Sequence, residues 1–498
     1  MFFFAAYVFS FLIHVGQCVK IIKINLNNNS MKMKLYQSLV YALCILLMVA
    51  SPAYSQIGKR FPSERKVVKD PVTGTMLSFL TSTPTGDSKI YQTHNQWTSD
   101  GQWLIFRSGR IPGEAMAVNE STGEMVQVTE GGYMGMLNVA RNSMKLYFMR
   151  NGDSSKRRSG DTSQRRFANM PVQIIEVDLA RLFTDSKAGT MKPASVYQRI
   201  CGTTPAELGA GGDMALDGAE DWAYFRVGQA EAAKHLPAGT KLEKAFGPRN
   251  MGAGPAGIAG KDVKTGEIKY VVSVPFQIGH IQTNPWVPKE IVFCWETGGK
   301  SPQRTWTVIA DGTGLRPLYP EAEYEWVTHE AVISRDEVAF AIMGHRKIPG
   351  TNTGVNAPGT PVSGANPGQE AAWGPSGTRE KPTGLGIVNF RTREVTIAGQ
   401  TPSGSGLWHV SGSPDGRWAV GDDFLRSIYL IDRHTKEMLL LSTGHKETAA
   451  DHPHPTMSPD GTKIEIQSAM LSADNRSMNI CIIPVPEAWL KRTYSNKQ

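Results

Sequence analysis

The sequence predicts an all-β protein, a seven-bladed β-propeller with four antiparallel strands per blade and loop insertions, on three observations. A tight-turn signature recurs seven times: TSDGQWLIF (98–106), ARNSMKLYF (140–148), LDGAEDWAYF (216–225), VPKEIVFCW (287–295), SRDEVAFAI (334–342), SPDGRWAVG (413–421) and SPDGTKIEI (458–466). Each reads as a strand end, a turn and a fresh alternating strand. A second hairpin signature follows each one, among them AMAVNESTGEMVQVT (115–129), QIIEVDLARL (173–182), SIYLIDRHTKEMLLLS (427–442) and MNICIIPVPEAW (478–489). Helix-period patterns of any length are nearly absent. Two hairpins per unit make four strands, and seven such units close into a ring.

Taken in order, residues 1–55 hold four Lys, no acid and two apolar runs, each short of the roughly 20 residues that a membrane span needs. The second run, MKMKLYQSLVYALCILLMVASPAYSQ, has the charged start, apolar middle and small residues (Ala53, Ser55) of a secretory signal cleaved before Gln56. Translation is therefore expected to begin at Met31 or Met33, with residues 1–30 an upstream extension. Residues 56–498 are expected to form one propeller domain, secreted or periplasmic, monomeric and without a membrane span. The segment from Gln56 to about Ser88 precedes the first repeat and is expected to supply a strand that closes the ring.

Unit spacing is uneven, which places insertions at 150–170, 183–215, 227–256 and 344–383, the last rich in Gly and Pro. Beyond residue 55 the chain carries 49 basic and 45 acidic residues, so global charge points to no nucleic-acid partner. The cluster KRRSGDTSQRR (156–166) reads as a solvated loop. Cys201, Cys294 and Cys481 match no disulfide framework or CxxC pattern and read as buried thiols.

The repeat gives the histidines a common register. His94, His409 and His454 each lie seven residues before the turn glycine of their unit, His329 lies seven before Asp336, and His280 lies eight before Pro288. The strand leading into this turn is the innermost of a blade, so residues at matching positions converge at one mouth of the channel. His452 and His454, one residue apart on an extended strand, share a face. In the second and third units Met136 and about Gly211 fill the position. Converging neutral imidazoles are transition-metal ligands, and those left over are general acids or bases.

Four segments, GHIQTNPWVPKEIVFCWETG (279–298), VTHEAVISRDEVAFAI (327–342), LWHVSGSPDGRWAVGDD (407–423) and ADHPHPTMSPDG (450–461), resemble corresponding segments of oligogalacturonate lyases, seven-bladed propellers that cleave uronic-acid oligomers. TGTMLSFLTS (73–82) and STGEMVQVTEG (121–131) extend the likeness to the first blade. The resemblance implies a divalent ion, manganese first and zinc or calcium as alternatives, held by His329, His452 and His454. The family's fourth ligand, a glutamine, is replaced by Ala449. Its arginine base is replaced by Gly257 and an upstream histidine by Met251. Related propellers acting on ulvan and on rhamnose–glucuronate linkages use histidine for proton transfer, which the histidine of the first blade matches.

The expected function is thus an exported polysaccharide lyase that cleaves acidic oligo- or polysaccharides by β-elimination. Proton transfer is assigned to His94 with His280 or His409 assisting, and carboxylate binding to Asn95. Cys294 is a lesser metal candidate, and Tyr224 and Arg226 have the chemistry of an acid and a carboxylate clamp but read as core. His345, His434 and His445 are expected at the surface. Two other readings stay open: a glycoside hydrolase cutting at a rhamnose–glucuronate linkage, and a non-catalytic periplasmic binding propeller. A hydrolase ordinarily needs two carboxylates, and the histidine register offers only Glu330 and Asp451 nearby.

Overall fold

The computed structural model describes residues 56–152, 170–245, 250–297, 301–321, 327–343, 383–399 and 407–494, all within one compact unit, Ser55–Gln498. The leader and upstream extension, the basic cluster at 156–166, His345 and nearly all of the 344–383 insertion lie outside these residues. The strands form seven separate antiparallel sheets, one per predicted unit. Blade six shows the plan: Leu407–Gly412 innermost, then Trp418–Asp423, Ile428–Asp432 and Met438–Ser442.

The turn chemistry explains the repeat. In SPDG, Ser413 Oγ donates to Asp415 Oδ1 (2.5 Å) and accepts from the Trp418 amide (2.9 Å), while Gly416 takes φ 75°. Gly461 does the same in blade seven at φ 68°. Only glycine enters this left-handed region freely.

Ring closure uses the N-terminal segment, and it corrects the reading of 478–489 as a complete hairpin. Asn479–Pro484 is a single strand that ends in one short helix, Glu487–Leu490. Its outer partner is Met76–Phe79, with Ser78 opposite Ile482 and Phe79 opposite Cys481, and Lys66–Lys69 adds a fifth strand. Arg60–Phe61 pairs with the outer strand of blade one, so the same segment fastens both sides of the seam.

Blade two departs from the pattern as well. Its third strand, Val172–Asp178, runs into a ten-residue helix, Leu179–Ala188, before the outer strand Gln198–Thr204. The Asp178 carboxylate caps the helix by accepting from the Arg181 amide (3.0 Å). Phe183 stacks on Trp103 of blade one at 4.3 Å. The helix lacked a sequence signal because only four of its residues are buried.

Between blades, alternate strand residues meet in apolar clusters. Phe79, Trp418, Val420, Ile464, Ile466 and Cys481 form part of the one that joins blades six and seven. The three described cysteines are free and buried. Among the described residues no helix is long and apolar enough to cross a membrane.

Because Phe79 is fully buried at the closing seam, Phe79→Ala is expected to cost about 3–5 kcal/mol. Thermal and urea unfolding measure it. A loss under about 1 kcal/mol would show that the N-terminal strand is not what holds the ring.

Candidate functional site

The inner strands do not run straight to the channel mouth. Pairing slips between Gly279 and Gln282 in blade four, between Thr328 and Ala331 in blade five, and between Leu407 and Val410 in blade six. Such bulges re-aim a side chain. Within them His280 and His329 take left-handed φ of 49° and 54°, and His454 of blade seven takes 52°. A left-handed non-glycine residue costs of order 1 kcal/mol or more and persists where the surroundings hold it, a pattern frequent at working sites. In blades two and three the corresponding left-handed residues are Gly135 (φ 68°) and Gly212 (φ 75°), one residue from the Met136 and Gly211 expected for that position.

Of the five histidines in register, His280, His329, His409 and His454 meet, joined by His452. His409 lies 3.8 Å from His454, 4.2 Å from His329 and 5.1 Å from His452, centroid to centroid, and His280 is 6.2 Å from His329. Tyr91, from a loop that interrupts the inner strand of blade one, sits among them at 4.9 Å from His454 and 5.3 Å from His280. These rings border a cavity of about 740 Å³. It shares Met136, Asp213, Arg226, Met251 and Gln277 with a second space of about 900 Å³ beside blades two and three.

Hydrogen bonds set the tautomers. His409 donates from Nδ1 to Asp422 (3.1 Å to Oδ2), His280 from Nδ1 to Glu330 Oε1 (3.0 Å), and His454 from Nδ1 to Gln92 Oε1 (2.9 Å). In a neutral His409 or His280 ring this leaves Nε2 as the lone pair. Burial, then the neighbouring His454, pushes His409 down to about 3 against the pull of Asp422. His329 falls well below the ordinary imidazole value through burial and the adjacent His409 and His280. His280 moves the other way: burial opposes its charge, but Glu330 outweighs it and raises its pKa. Glu330 is held at about 2, burial notwithstanding, by Arg304 and His280.

Three histidines have a buried ring nitrogen with no hydrogen-bond partner: His329 Nδ1, His452 Nδ1 and His454 Nε2. An unsatisfied buried nitrogen is costly, and neutral imidazole nitrogens are common ligands of divalent transition ions. Carboxylates stand close, with Asp422 Oδ2 3.7 Å from His452 Nδ1 and Asp451 Oδ2 3.1 Å from His454 Nε2. His409, Asp422 and His452 also offer ligand atoms within 4.8 Å of one another, as do His280, Cys294 and Glu296. Ala449 packs with Ala469 and Met478 and offers no side-chain ligand.

Other expectations change. His94 donates from Nε2 to the Met214 carbonyl (2.8 Å) and its Nδ1 pairs with Thr93 Oγ1 (2.7 Å), so neither nitrogen is open to the cavity. Asn95 gives its amide to the carbonyls of Trp97 (2.7 Å) and Val139 (3.2 Å). Both line a smaller pocket with Arg141 and Glu220 instead. His445 is fully buried between the hydroxyls of Ser442 (2.9 Å) and Ser468 (2.8 Å), not at the surface. His434, stacked on Tyr494, is exposed as expected. Tyr224 is core, whereas Arg226 borders both cavities. Gly257 lies mid-strand, where a Cβ would stand 2.2 Å from the Tyr270 hydroxyl.

The sequence reading missed Asp422, Tyr91, Gln92, Glu296 and Arg304, and so undercounted the acids near the histidines. Asp422 had a signal: it is the first of the two acids that close WAVGDD, a strand buried throughout. Arg304 and Glu296 had none, because their roles depend on pairing across blades four and five, with Arg304 Nε 3.0 Å from Glu330 Oε2.

No protein-family model and no curated protein matches the sequence. Solved structures do. An oligogalacturonate lyase in complex with manganese aligns over 88% of this chain and 100% of its own at 18% identity, TM-score 0.63. The oligogalacturonate lyase of Vibrio parahaemolyticus covers 87% and 100% at 17% identity, TM-score 0.62. At this identity the likeness establishes the propeller fold.

Calorimetric titration with Mn²⁺ is expected to find a site that His452→Ala or His454→Ala weakens by at least about tenfold. His94→Gln, which keeps a donor toward Met214, leaves it unchanged. Equal affinity in all four proteins would place the ion elsewhere.

Proposed function

We propose that this protein is an exported, metal-assisted lyase that cleaves uronic-acid-containing saccharides by β-elimination. The observation that carries this reading is the set of three buried imidazole nitrogens without a hydrogen bond, on His329, His452 and His454, at a cavity that also presents guanidinium groups. The manganese complex of a lyase with the same fold and the leader pattern ending at Ser55 support it.

β-Elimination needs the uronate carboxylate neutralised, the C5 proton removed and the departing O4 protonated. His329, His452 and His454 would hold a divalent ion, which would supply positive charge to the carboxylate. Arg426, which borders the cavity, binds the same group. His280 faces the cavity with Glu330 bracing its Nδ1–H, so Nε2 takes the C5 proton, and its raised pKa strengthens it as a base. The electron pair of the C5–H bond becomes the C4–C5 double bond as C4–O4 breaks. Tyr91, whose phenol burial keeps protonated, delivers the proton to O4. His409, at about 3 and engaged by Asp422, positions its neighbours.

A hydrolase is the second reading, favoured by one observation: Glu296 and Asp451 both border the cavity, and two carboxylates flanking a bond suffice for hydrolysis.

Purified protein incubated with pectate fragments, ulvan and rhamnose-capped glucuronan is expected to raise ultraviolet absorbance from unsaturated uronide on at least one of them. Chelator abolishes the rise, His280→Ala lowers kcat by about 10²-fold or more, and His94→Gln leaves it nearly unchanged. New reducing ends without absorbance would establish the hydrolase instead.

A further inference from the structure

Five left-handed positions ring the channel mouth, and the chain fills them in two ways. Blades four, five and seven place His280, His329 and His454 there, while blades two and three place Gly135 and Gly212. Gly212 leaves room that an arginine of the neighbouring strand occupies, and Gly135 offers its carbonyl to a second arginine. A Cβ on Gly212 would stand 2.7 Å from Arg226 Nη2, and Arg107 Nη2 donates to the Gly135 carbonyl at 3.2 Å. Gly135 and Gly212 touch in turn, since a Cβ on the first would lie 2.5 Å from the carbonyl oxygen of the second. Two guanidinium groups therefore flank a glycine floor on the side of the mouth opposite in character to the imidazoles.

Neither guanidinium has a carboxylate within ion-pair distance among the described residues. Arg107 has the Gly135 carbonyl and the Met136 sulfur (3.4 Å), and its Nε is buried without a partner. Arg226 has the Ile278 carbonyl at 3.3 Å. Asp213 and Glu296 influence Arg226 only through space. Both arginines border the space of about 900 Å³ that continues from the histidine cavity. Half-buried guanidinium groups without an ion-pair partner can take an anion, and the planar fork of arginine fits a carboxylate.

We infer that Arg107 and Arg226 form a second carboxylate subsite, which binds a uronate residue adjacent to the one at the histidines and makes the protein select acidic oligomers over single acidic sugars. Asp213 and Gln277, which border both spaces, are placed to hydrogen-bond hydroxyls of the bridging sugar. This rests on the acidic-saccharide reading of the cavity and deepens it. Gly212 is a specificity determinant here, because a side chain there would displace the Arg226 guanidinium, and Gly135 keeps the backbone of Gly212 in place beside it.

The test is calorimetric binding to the full chain with chelator present, so that turnover does not interfere. The probes are tetramers of galacturonate and of glucuronate, their monomers, and the methyl-esterified galacturonate tetramer. At least one acidic tetramer is expected to bind about tenfold or more tightly than its monomer and the ester. Arg107→Gln removes that advantage, Arg107→Lys restores part of it, and Gly212→Ala weakens binding without changing charge. Unchanged melting temperature and circular dichroism for Arg107→Gln certify the comparison. The inference is overturned if neither tetramer outbinds its monomer and ester, or if Arg107→Gln keeps the advantage. Tight tetramer binding by a protein that produces no unsaturated uronide when metal-loaded would sink the lyase reading and leave the subsite standing.

Discussion

Asp422 is the fixed point of the site. Its carboxylate, fully buried at the end of the second strand of blade six, accepts from the His409 amide at 2.7 Å, from His409 Nδ1 at 3.1 Å and from the His454 amide at 3.3 Å. Burial works against its charge, but His409 and His452 beside it hold its pKa far below the ordinary carboxylate value. One anion thus locks the inner strands of blades six and seven to each other. It also turns His409 so that Nδ1 faces inward, and it stands beside His452. A buried carboxylate with this many donors is stiff, and a stiff support is what a metal-ligating histidine requires.

The second support is on the other wall. Glu330 joins His280 of blade four to Arg304, one carboxylate shared by two basic groups at 3.0 Å each. Breaking such a buried pair leaves an uncompensated charge, so the His280 wall and the wall of His409, His452 and His454 are each fixed by a buried acid. Between them the left-handed residues aim the rings. The propeller contributes convergence, the bulges contribute direction, and the two buried acids contribute rigidity.

Much of this was legible in the sequence, for a physical reason. The SPDG turns fix where each inner strand ends, and counting back from them puts His280, His329, His409 and His454 at one level without any knowledge of their contacts. His94 obeys the same count yet points elsewhere, because Tyr91–Asn95 loops out between Lys89 and the bridge at Trp97, and a count of residues cannot register a loop. Gly135 and Gly212 were nearly found for the opposite reason, since glycine signals backbone and not chemistry. Asp422, Glu330 and Arg304 act across blades, where sequence neighbours say little. The helix at Leu179–Ala188 hid because its apolar face is short.

The account turns on where a metal ion sits. Crystals soaked with Mn²⁺ and measured at the manganese absorption edge will show it directly by anomalous scattering. The account predicts a peak bounded by His329, His452 and His454, the three histidines whose buried nitrogens lack partners. A peak confined to His280, Cys294 and Glu296, or no peak in the cavity at a saturating manganese concentration, would contradict it.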